Sequence, residues 1–443
     1  MFFAGSALVV GTKARAHDRA PNATQVVVEP GNEAHLVVGT TFGLLSSVNG
    51  GTSWQWICEG AVGYDGSVDP PLAIVGSGSV VAGVVDGVSL ARNDTCGWDR
   101  VGAPIRGNAV VAMATDPLNV KRLAVIALPA SGTPDVGAQV SISDDNGRSW
   151  KTAGDGLPEG FRPTTLAAAP TTFNRMYTAG PADFPLFGRV MRTDDGARTW
   201  NEFTFSLDGG NAVYIVGVDM RDMDTVYARV AHDDGDRLLV SRGAGRLFSE
   251  VLRAKGELLG FALSPDGAFV AVGGPVDGVS IAGTTTLAFA QASKTAARCL
   301  QWTKSGLFAC GTQLTDGFMV GLSIDRGRTF APIARVDNLT PLECSSDSPA
   351  AKLCPDEWAE IAPLIGVTGG DAGDASRVDA GVEGGVKTVE WRAQGAGCQC
   401  TYVDAISCMS TGVGRSAALL IAFSLATYAR RRTGRRPANV REV

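Results

Sequence analysis

The stretch Ser143–Trp150, SDDNGRSW, decides the fold, because imperfect copies of it return along the chain every 40 to 50 residues or so. The better copies are SVNGGTSW (Ser47–Trp54), TDDGARTW (Thr193–Trp200) and SIDRGRTF (Ser323–Phe330). All are variants of Ser/Thr-x-Asp/Asn-x-Gly-x-Ser/Thr-aromatic. Asn49, Asp145, Asp195 and Asp325 can accept backbone N–H bonds inside a tight turn, and Gly51, Gly147 and Gly327 can supply the positive φ that such a turn needs. Ala197 interrupts the glycine position in the third copy, with Gly196 beside it to take over that role. The closing aromatics Trp54, Trp150, Trp200 and Phe330 can then pack between neighbouring sheets.

Worn copies fill the gaps: ARNDTCGW ending at Trp98, SRGAGRLF ending at Phe248, and a segment around Ile281 to Leu287. Each unit also carries an upstream hairpin, an apolar run broken by a Pro/Asp/Asn turn. These hairpins fall at Val26–Val38, Leu72–Val85, Ala109–Ala127, Thr165–Ala179, Val213–Val230, Leu258–Val272 and Cys299–Gly311. Two hairpins per unit give a four-stranded blade. The expected fold is therefore an all-β, seven-bladed β-propeller over residues 20–335, with a ring of six or eight blades as the alternative.

The repeat resembles the Asp-box, or BNR repeat, of sialidases, sortilin-type receptors and photosystem assembly factors. That resemblance implies that the box residues Ser47, Asn49, Gly51, Trp54, Ser143, Asp145, Gly147, Trp150, Thr193, Asp195, Trp200, Ser323, Asp325, Gly327 and Phe330 are structural, on hairpins away from the ligand face. It also raises sialidase chemistry, which uses an arginine triad, a Tyr nucleophile activated by Glu and an acidic residue. The Phe/Tyr-Arg-Ile-Pro motif that normally supplies the first arginine is missing; Phe161-Arg162-Pro163 is misplaced and incomplete. Tyr64, Tyr177, Tyr214 and Tyr227 read as strand residues at blade faces. Paired-carboxylate chemistry of the tandem-propeller xyloglucanase type would need an interdomain cleft that one ring lacks. There is no GxSxG, HExxH or P-loop sequence. His232 with Asp233, Asp234 and Asp236 reads as a solvated loop.

Net charge is −6, yet the last fourteen residues hold six arginines against Glu442, a local +5, which leaves −11 for the rest. An acidic body disfavours nucleic acid. Of nine cysteines, Cys299 and Cys310 flank a hairpin, Cys344 and Cys354 close a short loop, and Cys58 and Cys96 belong to successive outer hairpins. These six are the disulfide candidates and point to an oxidising compartment. With three histidines and no pair of CxxC motifs, zinc is not expected, and neither is any other metal or cofactor.

The ends of the chain read as targeting segments. Phe2–Val10 is apolar and Ala14-Arg15-Ala16 is an A-x-A site, so residues 1–19 are expected to be a signal peptide, although the basic n-region is missing. Residues 336–365 form a Cys-bridged extension, and residues 366–396 a Gly/Asp/Ala linker whose Asp371, Asp374 and Asp379 miss calcium-loop spacing. In residues 397–443, Cys398 and Cys400 (with Cys408 beyond) precede a short apolar segment from about Val413 to Ala429 and an arginine cluster. This order resembles the MYXO-CTERM type of myxobacterial sorting signal, and implies a bacterial envelope or outer-surface location with a short transmembrane helix. An ordinary single-pass tail anchor is the alternative. The function expected is that of a non-catalytic interaction module, binding an unknown protein, peptide or glycan on the propeller face, with a sialidase-type surface glycosidase as the alternative.

Overall fold

The computed structural model describes residues 19–91, 95–129, 137–181 and 187–367. Residues 1–18 of the expected signal peptide, the acidic linker from residue 368 onward, Cys398, Cys400 and the apolar segment before the arginines lie outside the described residues. Among the described residues no helix is long and apolar enough to cross a membrane.

Seven antiparallel sheets follow one another along the chain, each built from four consecutive strands in spatial order. Their innermost strands are Ala23–Glu29, Leu72–Ile74, Ala109–Thr115, Thr165–Ala169, Ala212–Val218, Gly260–Leu263 and Cys299–Trp302. The upstream hairpins therefore form the inner half of each blade, in all seven units. Each sheet is covered on both faces by its neighbours, so second strands can be apolar throughout rather than alternating. Leu123–Leu128 of blade 3 is such a run, with Leu123 to Ala127 all buried. The innermost strands of blades 7 and 1 lie side by side, which closes the ring.

Closure does not exchange strands within a blade. Instead, the segment after blade 7 returns to blade 1. Leu339–Pro341 adds a fifth, parallel strand outside Trp54–Ile57, where the Thr340 hydroxyl donates to the Trp54 carbonyl at 3.1 Å. From the other side, Trp54 Nε1 donates to the Ile333 carbonyl of blade 7 at 2.7 Å. The helix Pro349–Ile365 follows; Ser348 caps it by accepting the Ala351 amide, and Gly366 ends it at φ 85°. Its apolar side, with Ile361 and Ile365, enters the blade 1 core, and Trp358 meets Trp56 with ring centroids 5.2 Å apart.

All six cysteines expected to be oxidised are in disulfides, but two of the pairings differ from the reading by loop length. Cys299–Cys310 bridges the inner hairpin of blade 7 as expected. Cys354 joins Cys58, and Cys344 joins Cys96, so the bonds span 296 and 248 residues. The pairings Cys344–Cys354 and Cys58–Cys96 are thus corrected. The parallel strand carries Cys344 past blade 1 to blade 2, and the helix turns Cys354 back onto the end of Trp54–Ile57. A third tie across the closure is Glu33 of blade 1. Its carboxylate accepts the Lys304 amide at 3.0 Å, the Ser305 amide at 2.8 Å and the hydroxyls of Thr303 and Ser305 from the blade 7 hairpin. Three disulfides are consistent with an exported protein.

Candidate functional site

The four better repeats all form the turn between the third and fourth strands of a blade, in blades 1, 3, 4 and 7. At Ser143–Trp150 the Ser143 hydroxyl donates to Asp145 Oδ1 at 2.9 Å and accepts the Gly147 amide at 2.9 Å. Asp145 accepts the Ser149 amide at 2.8 Å and, through its second oxygen, the Ser149 hydroxyl at 2.6 Å. The same set recurs with Thr193, Asp195, Ala197 and Thr199, and with Ser323, Asp325, Gly327 and Thr329. In blade 1, Asn49 replaces the carboxylate: its oxygen accepts from the Ser47 hydroxyl and the Ser53 amide, and its NH₂ donates to Ser53 Oγ. Asp325 is held down to about 2 by the Thr329 amide and hydroxyl and the Ser323 hydroxyl. Asp195 is also held down to about 2, against burial that pushes it up, by the Thr199 amide and hydroxyl and the Thr193 hydroxyl. These repeated carboxylates are occupied in their own turns.

The first Ser/Thr therefore matters as much as the Asp, and in worn blade 5 it survives without it: the Ser241 hydroxyl accepts the Gly245 amide at 3.0 Å although Gly243 holds the acidic position. The backbone uses two successive left-handed residues, Gly50–Gly51, Asn146–Gly147, Gly196–Ala197 and Arg326–Gly327. Ala197 itself takes φ 69°, so Gly196 accompanies it and does not substitute for it. Packing of the closing aromatics is uneven. Trp54 and Trp150 are buried, whereas Trp200 and Phe330 are half-buried.

At the opposite end of the ring, the crossover from blade 1 to blade 2 brings ionisable groups together. The short helix Glu59–Val62 begins beside the Cys58–Cys354 bond, and Glu357 from the C-terminal helix accepts the amides of Gly60 and Glu59. Glu59 is only 3% exposed and its Oε1 has no partner. Burial and then the neighbouring Glu357 push it up to about 8. Burial also pushes up Tyr64, whose next largest influence is Glu59. Arg19 lies in the same field and donates to Asp69 at 2.8 Å. This Tyr–Glu pair has the composition that tyrosine-nucleophile chemistry would use, but Tyr64 is buried, Glu59 holds its proton near neutrality, and of the arginines beside them Arg19 is paired with Asp69 and Arg100 donates to the Val62 and Gly63 carbonyls.

The other tyrosines sit in blade walls. Tyr177 donates to the Met223 carbonyl at 2.7 Å and accepts from Arg175. Tyr214 lies under the Arg229 guanidinium. Tyr227 is fully buried. Asp236 departs from the solvated loop expected for His232–Asp236. It is 2% exposed, pairs with Arg229 at 3.0 Å and accepts the Leu258 amide at 2.8 Å, bracing blade 5 against blade 6. Exposed Asp234 does pair with Arg237. Among the described residues no group of three His, Cys, Asp or Glu side chains could hold a metal.

No protein-family model matches the chain, and no curated protein is similar to it. Solved structures similar to it include an ancestral GH74 enzyme (14% identity, TM-score 0.44, covering 70% of this chain and 37% of that one). Hydrazine synthase of Kuenenia stuttgartiensis is similar at 12% identity and TM-score 0.47, covering 69% and 96%. YCF48 bound to D1 peptide is similar at 12% identity and TM-score 0.35, covering 51% and 66%. The chain thus spans little more than a third of the ancestral GH74 enzyme's length. At these identities the likeness concerns blades alone and carries nothing about activity.

Proposed function

We propose that this chain is an exported, surface-anchored propeller that acts as a non-catalytic binding module, with its ligand, a protein, peptide or glycan, on the end opposite the Ser143–Trp150 type of turn. The observation that supports this reading most is the occupation of the repeated acidic residues. Asp145, Asp195 and Asp325 each spend both carboxylate oxygens on their own turn, as an Asp-box that holds a scaffold would. The ring beneath is tied shut by two long-range disulfides, which suits a rigid platform outside the cell. Anchoring is assigned to the tail with Cys398, Cys400 and the arginine cluster, and export to residues 1–19.

The test compares two single substitutions in the full chain presented to intact cells. Asp65→Arg changes an exposed charge on the blade 1–2 crossover at the proposed binding end. Arg148→Glu changes one at the turn end. Loss of a saturable cell-derived partner with the first and retention with the second supports the reading. The reverse pattern overturns it.

A further inference from the structure

The junction between blades 5 and 6 differs, at the turn end, from the junction between blades 4 and 5. In blade 4, Tyr177 sits next to Met176, which pairs with the first turn residue Thr193; in blade 5, Tyr227 holds the same register next to Val226, which pairs with Ser241. Tyr177 donates to a carbonyl of the next blade's inner hairpin turn, that of Met223. The matching turn of blade 6, Pro265–Ala268, is one residue shorter than Met220–Asp224 of blade 5, and Arg221 takes the Gly267 carbonyl at 2.7 Å. The Tyr227 hydroxyl, fully buried, is left with no protein partner. An unsatisfied buried hydroxyl is costly, so its retention calls for an explanation.

Beside it opens a groove of about 400 Å³. One wall is the worn sixth repeat. Gly283 stands where the turns of blades 1, 3, 4, 5 and 7 have Ser or Thr, Leu287 takes the left-handed position at φ 52°, and Thr284, Thr285 and Thr286 fall between them. The other wall carries Arg221 and Arg242. Their hydrogen bonds run to the carbonyls of Gly267, Thr284 and Thr285 and to the Thr284 hydroxyl, and among the described residues neither forms an ion pair with a carboxylate. Of the two acidic residues of the groove, Asp222 is engaged through both carboxylate oxygens and Asp219 through Oδ1. Asp219 accepts the Arg221 and Asp222 amides, and Asp222 accepts the Asp224 amide and the Thr225 hydroxyl. The Tyr227 hydroxyl lies in the combined field of Asp219, Arg242 and Arg221 but is buried behind the groove and takes no part in its lining.

The available groups are thus mostly donors: two guanidinium groups and the exposed hydroxyls of Thr285 and Thr286, which can both donate and accept. We infer that the blade 5–6 groove is a second binding site, distinct from the end proposed above, for a small hydroxylated carboxylate. The guanidinium groups match a carboxylate, and the threonines match ligand hydroxyls. Val251 and Leu287 supply the apolar flank for a ligand's carbon face.

Calorimetric titration of the full chain with galacturonate, galactose, acetate and inorganic phosphate tests this. Saturable binding of galacturonate is expected, with galactose and acetate each weaker by about tenfold or more, since each keeps half of the matched groups. Arg242→Ala and Thr285→Val, both at exposed positions lining the groove, should each weaken galacturonate by about tenfold while their unliganded melting temperatures show that they fold. Absence of saturable galacturonate binding overturns the inference. So does phosphate or galactose binding as tightly, or wild-type affinity in both variants.

Discussion

Glu59→Gln is the sharpest perturbation of the region where the C-terminal segment meets the ring. Glu59 titrates near 8 in the folded chain, against 4.5 when free, because burial and then Glu357 disfavour its ionisation; Asp65 and Asp69 add to this and Arg19 opposes it. A group whose folded pKa is raised binds its proton more tightly in the folded state. Its contribution is fully present below about 4.5 and is lost as pH rises toward about 8. At pH 7 the unfolded carboxyl has gained roughly 2.5 pKa units of ionisation that the folded one has not, or about 3 kcal/mol. Gln cannot ionise and keeps the shape, so Glu59→Gln should remove most of this pH dependence. Urea unfolding of wild type and variant at pH 5 and pH 7.5 measures it. The wild type should lose about 2 to 4 kcal/mol more than the variant between the two pH values. Parallel losses would refute the burial of an uncharged Glu59 at this junction.

Four further outcomes are expected. Asp145→Ala should cost about 1–3 kcal/mol through unsatisfied turn amides, read by chemical denaturation, with ligand binding intact in the folded fraction. Ala197→Gly should raise stability by about 1 kcal/mol, because Ala197 occupies a left-handed conformation that disfavours a Cβ. Replacing both Cys344 and Cys354 by Ser should lower stability by about 2–5 kcal/mol per bond and expose Trp56 fluorescence to quencher, since the helix that covers it is released. Asp195 and Asp325, held near 2, should stabilise the ring above about pH 4 and lose that contribution as pH falls toward 2, seen as acid unfolding that shifts upward in pH when both are changed to Asn.

The blade count and the strand order were legible because the turn chemistry is local. A hydroxyl, a carboxylate and a left-handed pair within eight residues leave the same imprint in blades 1, 3, 4 and 7, and the inner hairpins repeat as apolar runs with Pro or Asp turns. What the sequence concealed is non-local. Nothing near Cys344 or Cys354 tells which blade each reaches, because a parallel strand of three residues, Leu339–Pro341, decides it. The helix Pro349–Ile365 did leave a signal, Ser348 before Pro349 and Gly366 after Ile365, in the pattern of an N-cap, a first-turn proline and a C-terminal glycine. Pro355 and Pro363 inside the span mask it. Glu33 and Glu59 look like ordinary surface glutamates in sequence. Only the ring's closure places one against the blade 7 hairpin and the other beneath the C-terminal helix. The groove at blades 5 and 6 is lined by the inner turn of one blade and the worn outer turn of the next, a meeting that periodicity cannot register.

The central claim, that the acidic repeats hold a scaffold and perform no hydrolysis, is tested most directly by incubating the purified full chain with a fluorogenic sialoside. The account predicts no release above the uncatalysed rate, unchanged by Asp145→Ala or Glu59→Gln. Robust turnover that either substitution abolishes in folded protein would contradict it.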